Sequence, residues 1–258
     1  MIPGLVDIII VNHNSRRHIR RCLHYIRLHT QDVHHRNIVI DNASTDGSAS
    51  FLRSLRGITL VANGANLGTT KAWNQGINLG QGEFILLLNP DVQVTPGWLA
   101  RMVGCMQQDS AIAVVGCKNV KPDGIILHAG MGFNGRVRGR GLVNRAGLFD
   151  QQEDCLAISG GCMLLRRAYL PILGLFDERY FMYFEDLDYC WQARSKGYRV
   201  VYCPVTVLHQ GHGSPMDNKK RNSIILRSRQ LFRQKWINVK AEGKAHGLMV
   251  DINDLEYP

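Results

Sequence analysis

Short β-branched, apolar runs alternate with segments of helical hydrophobic spacing as far as Cys117, and this alternation restricts the fold more than any other feature. Val6 to Val11 reads as a strand, and Arg16 to His29 follows with Ile19, Cys22, Leu23 and Ile26 at helical spacing. The pattern recurs in Asn37 to Asp41 with a helix around Ser48 to Leu55, and in Ile58 to Val61 with a helix around Thr69 to Leu79. It continues in Glu83 to Leu88 with a helix from Pro96 to Gln108, and closes on Ile112 to Cys117. Strand–helix units this short predict an α/β fold, a mostly parallel sheet with helices on both faces. Such sheets place their sites at the carboxyl ends of strands. Polar clusters stand at those ends: Asn12 to Ser15, Asp41 to Asp46, Asn63 to Gly68 and Asn89 to Asp91.

After Val120 the alternation lapses into a stretch where Gly135, Gly139, Gly141 and Gly147 are interleaved with Arg136, Arg138, Arg140 and Arg145. That composition predicts a mobile loop. A second half follows, with a strand from Cys162 to Leu165, an aromatic cluster around Phe176 to Phe184, a helix from Asp186 to Lys196 and a strand from Arg199 to Cys203. No linker separates independent domains, so residues 1–258 read as one domain with three parts: 1–120, 121–215 and a basic helical segment, 216–258.

The chain has 31 Lys and Arg against 21 Asp and Glu, a net charge of +10. Lys219 to Lys244 holds nine basic residues against Glu242 alone, or +8, so basicity reads as a C-terminal feature that favours an anionic partner. With 45% hydrophobic residues, the chain is neither disordered nor fibrous. The first apolar run is short and contains Asp7, which is unlike a secretory leader, and no stretch approaches the roughly 20 apolar residues of a membrane span. The expected location is cytoplasmic, with any membrane contact peripheral. Seven cysteines without a CxxC pair, several within apolar strands, read as buried reduced thiols.

Six constellations could carry chemistry or binding. Asp41 ends a strand, where a carboxylate can accept ribose hydroxyls or a base N–H; Asp46 and Ser44 are equally explained as helix caps. Asn89-Pro90-Asp91 puts a carboxylate on a rigid strand end suited to a hard cation, or forms an ordinary type I turn. Glu185, Asp186 and Asp188 open a helix, where neighbouring carboxylates raise one another's pKa and suit a general base, or simply favour the helix dipole. His209 and His212 lie in a Gly-rich stretch and can ligate a metal already held by Asp91. Ser159-Gly160-Gly161 before Arg166-Arg167 reads either as close backbone approach to a ligand or as a tight turn with an exposed basic pair. Ile224, Ile225, Leu231, Phe232 and Trp236 form an amphipathic pattern that either packs on the core or lies on anionic lipid.

In this order, these residues resemble family 2 glycosyltransferases of the GT-A fold, in particular the bacterial rhamnosyltransferase-like branch. The likeness runs through Val11 to Asn14, Asp41 to Ser48, Asn63 to Asn78, Asn89 to Asp91, Ser159 to Gly161, Phe181 to Asp188 and His209. It implies a nucleotide-binding half and an acceptor-binding half, and inverting transfer of a sugar from a dTDP- or UDP-linked donor to a glycan or lipid-linked acceptor. It further implies that Asn12, Asn14, Asp41, Asn66, Lys71 and Asn89 bind the nucleotide sugar, and that Asp91 and His209 hold Mg²⁺ or Mn²⁺. Asp186 or Glu185 would be the base, and Gly160, Gly161 and Asp188 would meet the acceptor. Asn89 departs from the family pattern, standing where the first Asp of its DxD metal motif is found. The resemblance also implies surface-polysaccharide synthesis at the inner face of the cytoplasmic membrane, which the basic C-terminal segment would contact.

A sugar nucleotidyltransferase is the second reading, but its Gly-rich phosphate loop is missing after strand one. A dehydrogenase would need G-x-G-x-x-G after a strand. A nucleic-acid-binding protein would account for the basic tail but not for the strand-end carboxylates, so no nucleic acid is expected.

Overall fold

The computed structural model describes residues 1–211, 216–237 and Leu255. The first half alternates as expected: β1 (Ile2–Asn12), α1 (Arg16–His29), β2 (His35–Asp41), α2 (Ser48–Arg53), β3 (Ile58–Ala62), α3 (Thr69–Leu79), β4 (Gly82–Leu88), β5 (Val92–Gln93), α4 (Trp98–Gln107) and β6 (Ile112–Val120). The rest comprises β7 (Ile126–His128), β8 (Glu153–Asp154), β9 (Cys162–Arg166), α5 (Leu170–Leu173), α6 (Glu185–Ser195), β10 (Arg199–His209) and α7 (Asn218–Trp236). One sheet runs β3-β2-β1-β4-β9-β6-β10-β5. Its long strands are parallel except β9, which pairs antiparallel with β4 and β6.

Period-two alternation along β1 divides the core into two layers. Ile8 and Ile10 pack with Ile19, Cys22 and Ile26 of α1 and Trp98, Leu99 and Met102 of α4. Ile9 faces the other way, toward Trp73 and Ile77 of α3, Leu187 and Trp191 of α6, and Phe232 and Trp236 of α7. The apolar side of the C-terminal segment is thus core-packed, with Ser228, Phe232 and Trp236 buried. His212, Lys240 and Lys244 lie outside the described residues. All seven cysteines are buried. Among the described residues no helix is long and apolar enough to cross a membrane.

Three expectations need correction. The Gly/Arg stretch is folded back on itself: Ile126 N donates to Leu142 O (2.8 Å), Arg138 N to Gly130 O (2.9 Å) and Met131 N to Ala157 O (2.8 Å). Its glycines 135, 139, 141 and 147 all have positive φ and occupy the reversals. The last strand continues past Cys203 to His209, passing Pro204 through a register shift between Tyr202 and Thr206, so His209 closes a strand and is not in a loop. Arg166 and Arg167 are not an exposed pair. Arg167 donates to Asp7 Oδ2 (2.8 Å), Gly82 O (2.6 Å) and Ile77 O (2.9 Å), and Arg166 to Ile112 O (3.1 Å). Fully buried Asp7 also accepts from Arg36 (2.7 Å) and Gly82 N (2.7 Å), so this cluster ties β1, β2, β4 and the end of β9 together.

Candidate active site

At the carboxyl ends of β1 and β2, Asn12 and Asp41 stand side by side in register. Asn12 Nδ2 donates to Asp41 Oδ1 (2.8 Å) and Ser44 Oγ (3.0 Å), and Ser44 N donates to Asp41 Oδ2 (3.1 Å). Both side chains are buried, yet Asn12 Oδ1 has no partner. A buried acceptor left open is costly unless a ligand donates to it. Asn14, at φ 49°, receives the next turn, with Thr45 N donating to its Oδ1 at 2.7 Å. Asn66 Oδ1 accepts from Gly68 N at 3.0 Å, and Lys71 is exposed on the first turn of α3. Gly68 cannot be replaced: at φ +86° its Cβ would lie 2.6 Å from the carbonyl oxygen of Phe181.

The second group forms where β4 ends, β9 begins and β10 ends. Asn89 N donates to Gly161 O (3.0 Å), and Val92, just after Asp91, pairs with His209. Sheet pairing therefore brings Asp91 and His209 together, with Oδ1 and Nε2 at 3.3 Å. Asp91 Oδ2 accepts from Gly211 N (3.1 Å), and Asn89 Nδ2 lies 3.4 Å from His209 Nε2. Burial pushes the Asp91 carboxyl up, but the charge and hydrogen bond of His209 outweigh it and hold the group below the usual carboxylate range. Gly160 and Gly161 are hemmed in. A Cβ at 160 would lie 2.6 Å from Trp73 Cη2, and one at 161 would lie 2.7 Å from His209 Cε1.

The carboxylates of α6 come last. Tyr183 and Phe184 both have φ of 70°, a conformation that β-carbon sterics disfavour and that turns the chain sharply into the helix. This turn is clamped: Thr69 N donates to Phe181 O (2.7 Å), Thr70 Oγ1 to Tyr180 O, and Ser228 Oγ of α7 to Met182 O (2.9 Å). Asp186 Oδ2 accepts from Gly160 N (2.7 Å) and Oδ1 from Leu187 N (2.8 Å). Burial, with Asp186 beside it, pushes the Glu185 carboxyl well above its ordinary value, and Glu185 Oε2 has no partner. Asp188 turns elsewhere, accepting from Lys235 Nζ (2.6 Å), Trp236 Nε1 (2.7 Å) and Tyr180 OH (3.1 Å). Two donors meet its Oδ1 and one its Oδ2, so Asp188 holds α7, and the contact with the acceptor expected of it would have to use the remaining side of Oδ2.

Asp186, Gly160, Gly161, His209, Asp91 and Asn89 thus form one chain of contacts, and Asn12, Asn14 and Asp41 a second cluster on neighbouring strands. Sequence reading passed over His128, at the end of β7. Its Nδ1 accepts from Gly130 N (3.0 Å), and burial, aided by Arg140, Arg138 and His209, pushes its pKa down to about 3. The signal was there, because His128, like His209, ends a short apolar run. Trp73, whose ring covers Gly160, was missed for want of any polar neighbour in sequence. Among the described residues no three His, Cys, Asp or Glu side chains gather at metal-holding geometry.

Residues 7–173 match the family model described as glycosyl transferase family 2. The chain is 26% identical over 250 residues to uncharacterized protein y4gI of Sinorhizobium fredii, covering 90% of this chain but only 27% of that protein. It is 26% identical over 249 residues to the N-acetylglucosaminyl-diphospho-decaprenol L-rhamnosyltransferase of Mycobacterium tuberculosis, covering 84% of this chain and 80% of the relative. Rhamnosyltransferase WbbL of Escherichia coli is 24% identical, with 83% and 86% covered. In structure the chain resembles the mannosyltransferase PcManGT of Pyrobaculum calidifontis, solved with GDP-Man and Mn²⁺, at a TM-score of 0.65 and 20% identity over 93% of this chain and 65% of that one. It also resembles GalNAc-T7, solved with UDP, GalNAc and Mn²⁺, at 0.63 and 18% identity over 79% and 43%. With its mostly parallel sheet and strand-end polar clusters, this chain belongs to glycosyl transferase family 2 and is a glycosyltransferase of the GT-A fold.

Proposed function

We propose that the chain transfers a sugar from a nucleoside diphosphate sugar to an acceptor hydroxyl with inversion at the anomeric carbon. The observation that carries this reading is the convergence on Gly160 and Gly161 of a helix carboxylate, Asp186, with the Asp91 and His209 side chains. A base and a cation site held this close suit a reaction that deprotonates a nucleophile on one face of a sugar while a diphosphate leaves from the other.

The nucleoside end belongs to Asp41 and Asn12, whose open Oδ1 would accept a base N–H or a ribose hydroxyl. Asn14, Asn66, Lys71 and Asn89 border the donor. Asp91 and His209 fit a divalent cation, Mg²⁺ or Mn²⁺, because a charged carboxylate oxygen and a ring nitrogen already converge; two donors suffice only where diphosphate and water complete the shell. Bound there, the ion supplies positive charge to the leaving diphosphate. Asn89 adds a neutral oxygen in place of a second carboxylate. Asp186 takes the acceptor proton, since burial favours the protonated form of Glu185. Gly160 and Gly161 let the backbone turn between these side chains and leave the acceptor space beside Asp186.

The names of the rhamnosyltransferase relatives support rhamnose as the sugar and, for one of them, a decaprenol-diphosphate-linked acceptor; our proposed donor is dTDP-rhamnose, with a UDP sugar second. Such a donor and acceptor would suit surface-polysaccharide synthesis, and we propose the cytoplasmic side of the membrane as its location. The test is calorimetric titration with dTDP, UDP and GDP, each with and without Mn²⁺ or Mg²⁺. Metal-dependent binding of one nucleotide is expected; binding of none under any condition overturns the reading. Asp186→Asn should keep donor binding and lose about 10²- to 10⁴-fold in turnover. A near-normal rate would move the base to Glu185.

A further inference from the structure

Positive charge is concentrated on two helices, and only one of them uses it internally. Lys235 of α7 is paired with Asp188 and Asp177. α1 carries Arg16, Arg17, Arg20, Arg21 and Arg27 within 14 residues, with no acidic residue among them. Its apolar side, Ile19, Cys22 and Ile26, is buried, and all five arginines are exposed. None of their guanidinium groups has a hydrogen bond or ion pair to another described residue. Like charges also repeat at i and i+4, Arg16 with Arg20 and Arg17 with Arg21, an arrangement that weakens a helix unless something anionic lies over it.

Between Arg16, Arg17, Arg20, Arg21 and Tyr25 lies an open depression of about 890 Å³, bounded by Asp46. The Asp46 carboxylate does not neutralise it. Its oxygens accept from the backbone N–H groups of Arg16 (2.8 Å) and Ser48 (3.0 Å), and the guanidinium groups are left to the outside. We propose that this depression binds a ligand with clustered phosphate groups, supplied either by anionic lipid headgroups or by a free polyphosphate. Several guanidinium forks on one face suit multiple phosphate oxygens. The room between them exceeds one phosphate. Nucleic acid fits less well, because the depression offers only Tyr25 and His24, packed edge to face with centroids at 5.7 Å, where a strand of stacked bases needs a row of open rings. α1 covers the opposite face of the sheet from α6, so the site is separate from the Asp186 centre.

The test uses the full chain and the variant Arg17→Gln/Arg20→Gln/Arg21→Gln. These side chains are exposed and their substitution relieves the i, i+4 repulsions, so the unfolding midpoint should stay the same or rise slightly. The probes are inorganic pyrophosphate in metal-free buffer, and vesicles of phosphatidylcholine with or without phosphatidylglycerol. Affinity for the bound probe should fall about fivefold per arginine removed, or about a hundredfold in the triple variant. Pyrophosphate binding identifies the free anion as the source, and binding only to phosphatidylglycerol vesicles identifies the headgroups. Equal affinity in the variant, no binding of either probe, or tighter binding of a mixed-sequence RNA overturns the proposal. Metal-dependent nucleotide binding should be the same in both proteins, which separates this outcome from failure of the transferase reading.

Discussion

The backbone N–H of Gly160 donates to Asp186 Oδ2 at 2.7 Å, and this bond ties the first turn of α6 to the turn that enters β9. The tie works only without a side chain at 160, since a Cβ there would press on Trp73 Cη2 at 2.6 Å and on Asp186 Cβ at 3.3 Å. Gly160→Ala should therefore displace the carboxylate more than it unfolds the protein. We expect turnover to fall about 10- to 100-fold with a smaller change in donor KM. Steady-state kinetics beside thermal unfolding would decide it, and unchanged turnover would remove Gly160 as a positioning residue.

Asp91 and His209 reach each other only because β5 pairs antiparallel with the end of β10. Their proposed role in holding a cation predicts that Asp91→Asn and His209→Ala each weaken metal-dependent nucleotide binding at least about tenfold. Binding measured without metal should barely change. Calorimetry on the three proteins with EDTA or Mn²⁺ makes the comparison, and equal metal dependence in all three would place the ion elsewhere.

The alternation of the first half was legible because each element carries its own hydrophobic period, and strand-end polar residues follow from parallel topology. What was not legible depends on contacts between distant segments. Pro204, which lacks an N–H, reads as a strand stop, yet the chain passes it by shifting register and delivers His209 to the site. The glycines of the Arg-rich stretch read as freedom but serve as reversals in a hydrogen-bonded fold. Charge arithmetic rightly placed the net basicity at the C-terminus, but the five arginines of α1 stood out only once the helix showed them all on its exposed side. Arg167 looked free until buried Asp7, 160 residues away in sequence, was found beside it.

His128 gives the protein a titration of its own. The folded value is held down to about 3, against 6.5 in the unfolded chain, by burial first and then by Arg140, Arg138 and His209. A depressed folded value means that the contribution to stability is complete above 6.5 and is lost as pH falls toward 3. His128→Asn keeps an acceptor for Gly130 N but does not titrate. Urea unfolding at about pH 8 and about pH 5 should show the wild-type advantage over this variant shrinking by about 1 to 2 kcal/mol at the lower pH. A difference independent of pH would mean that the ring takes up its proton equally in the folded and unfolded chain, so that its folded value is not depressed.

Asp188 connects the site helix to the C-terminal one. Nearly all of its side chain is buried, and it accepts from Lys235, Trp236 and Tyr180, so removing the carboxylate leaves two buried donors without a partner and Lys235 with Asp177 alone. Asp188→Ala should cost about 2 to 4 kcal/mol in urea unfolding. Because Ser228 of α7 also donates to Met182 O in the turn before Glu185, the loss should reach turnover as well. Deleting residues from 216 onward is a harsher change, since it strips Phe232 and Trp236 from contact with Phe184 and Trp191. Point variants are therefore the better probe of this segment. If Asp188→Ala costs less than about 0.5 kcal/mol, the packing of Phe232 and Trp236 alone holds α7, and the carboxylate is free for another role.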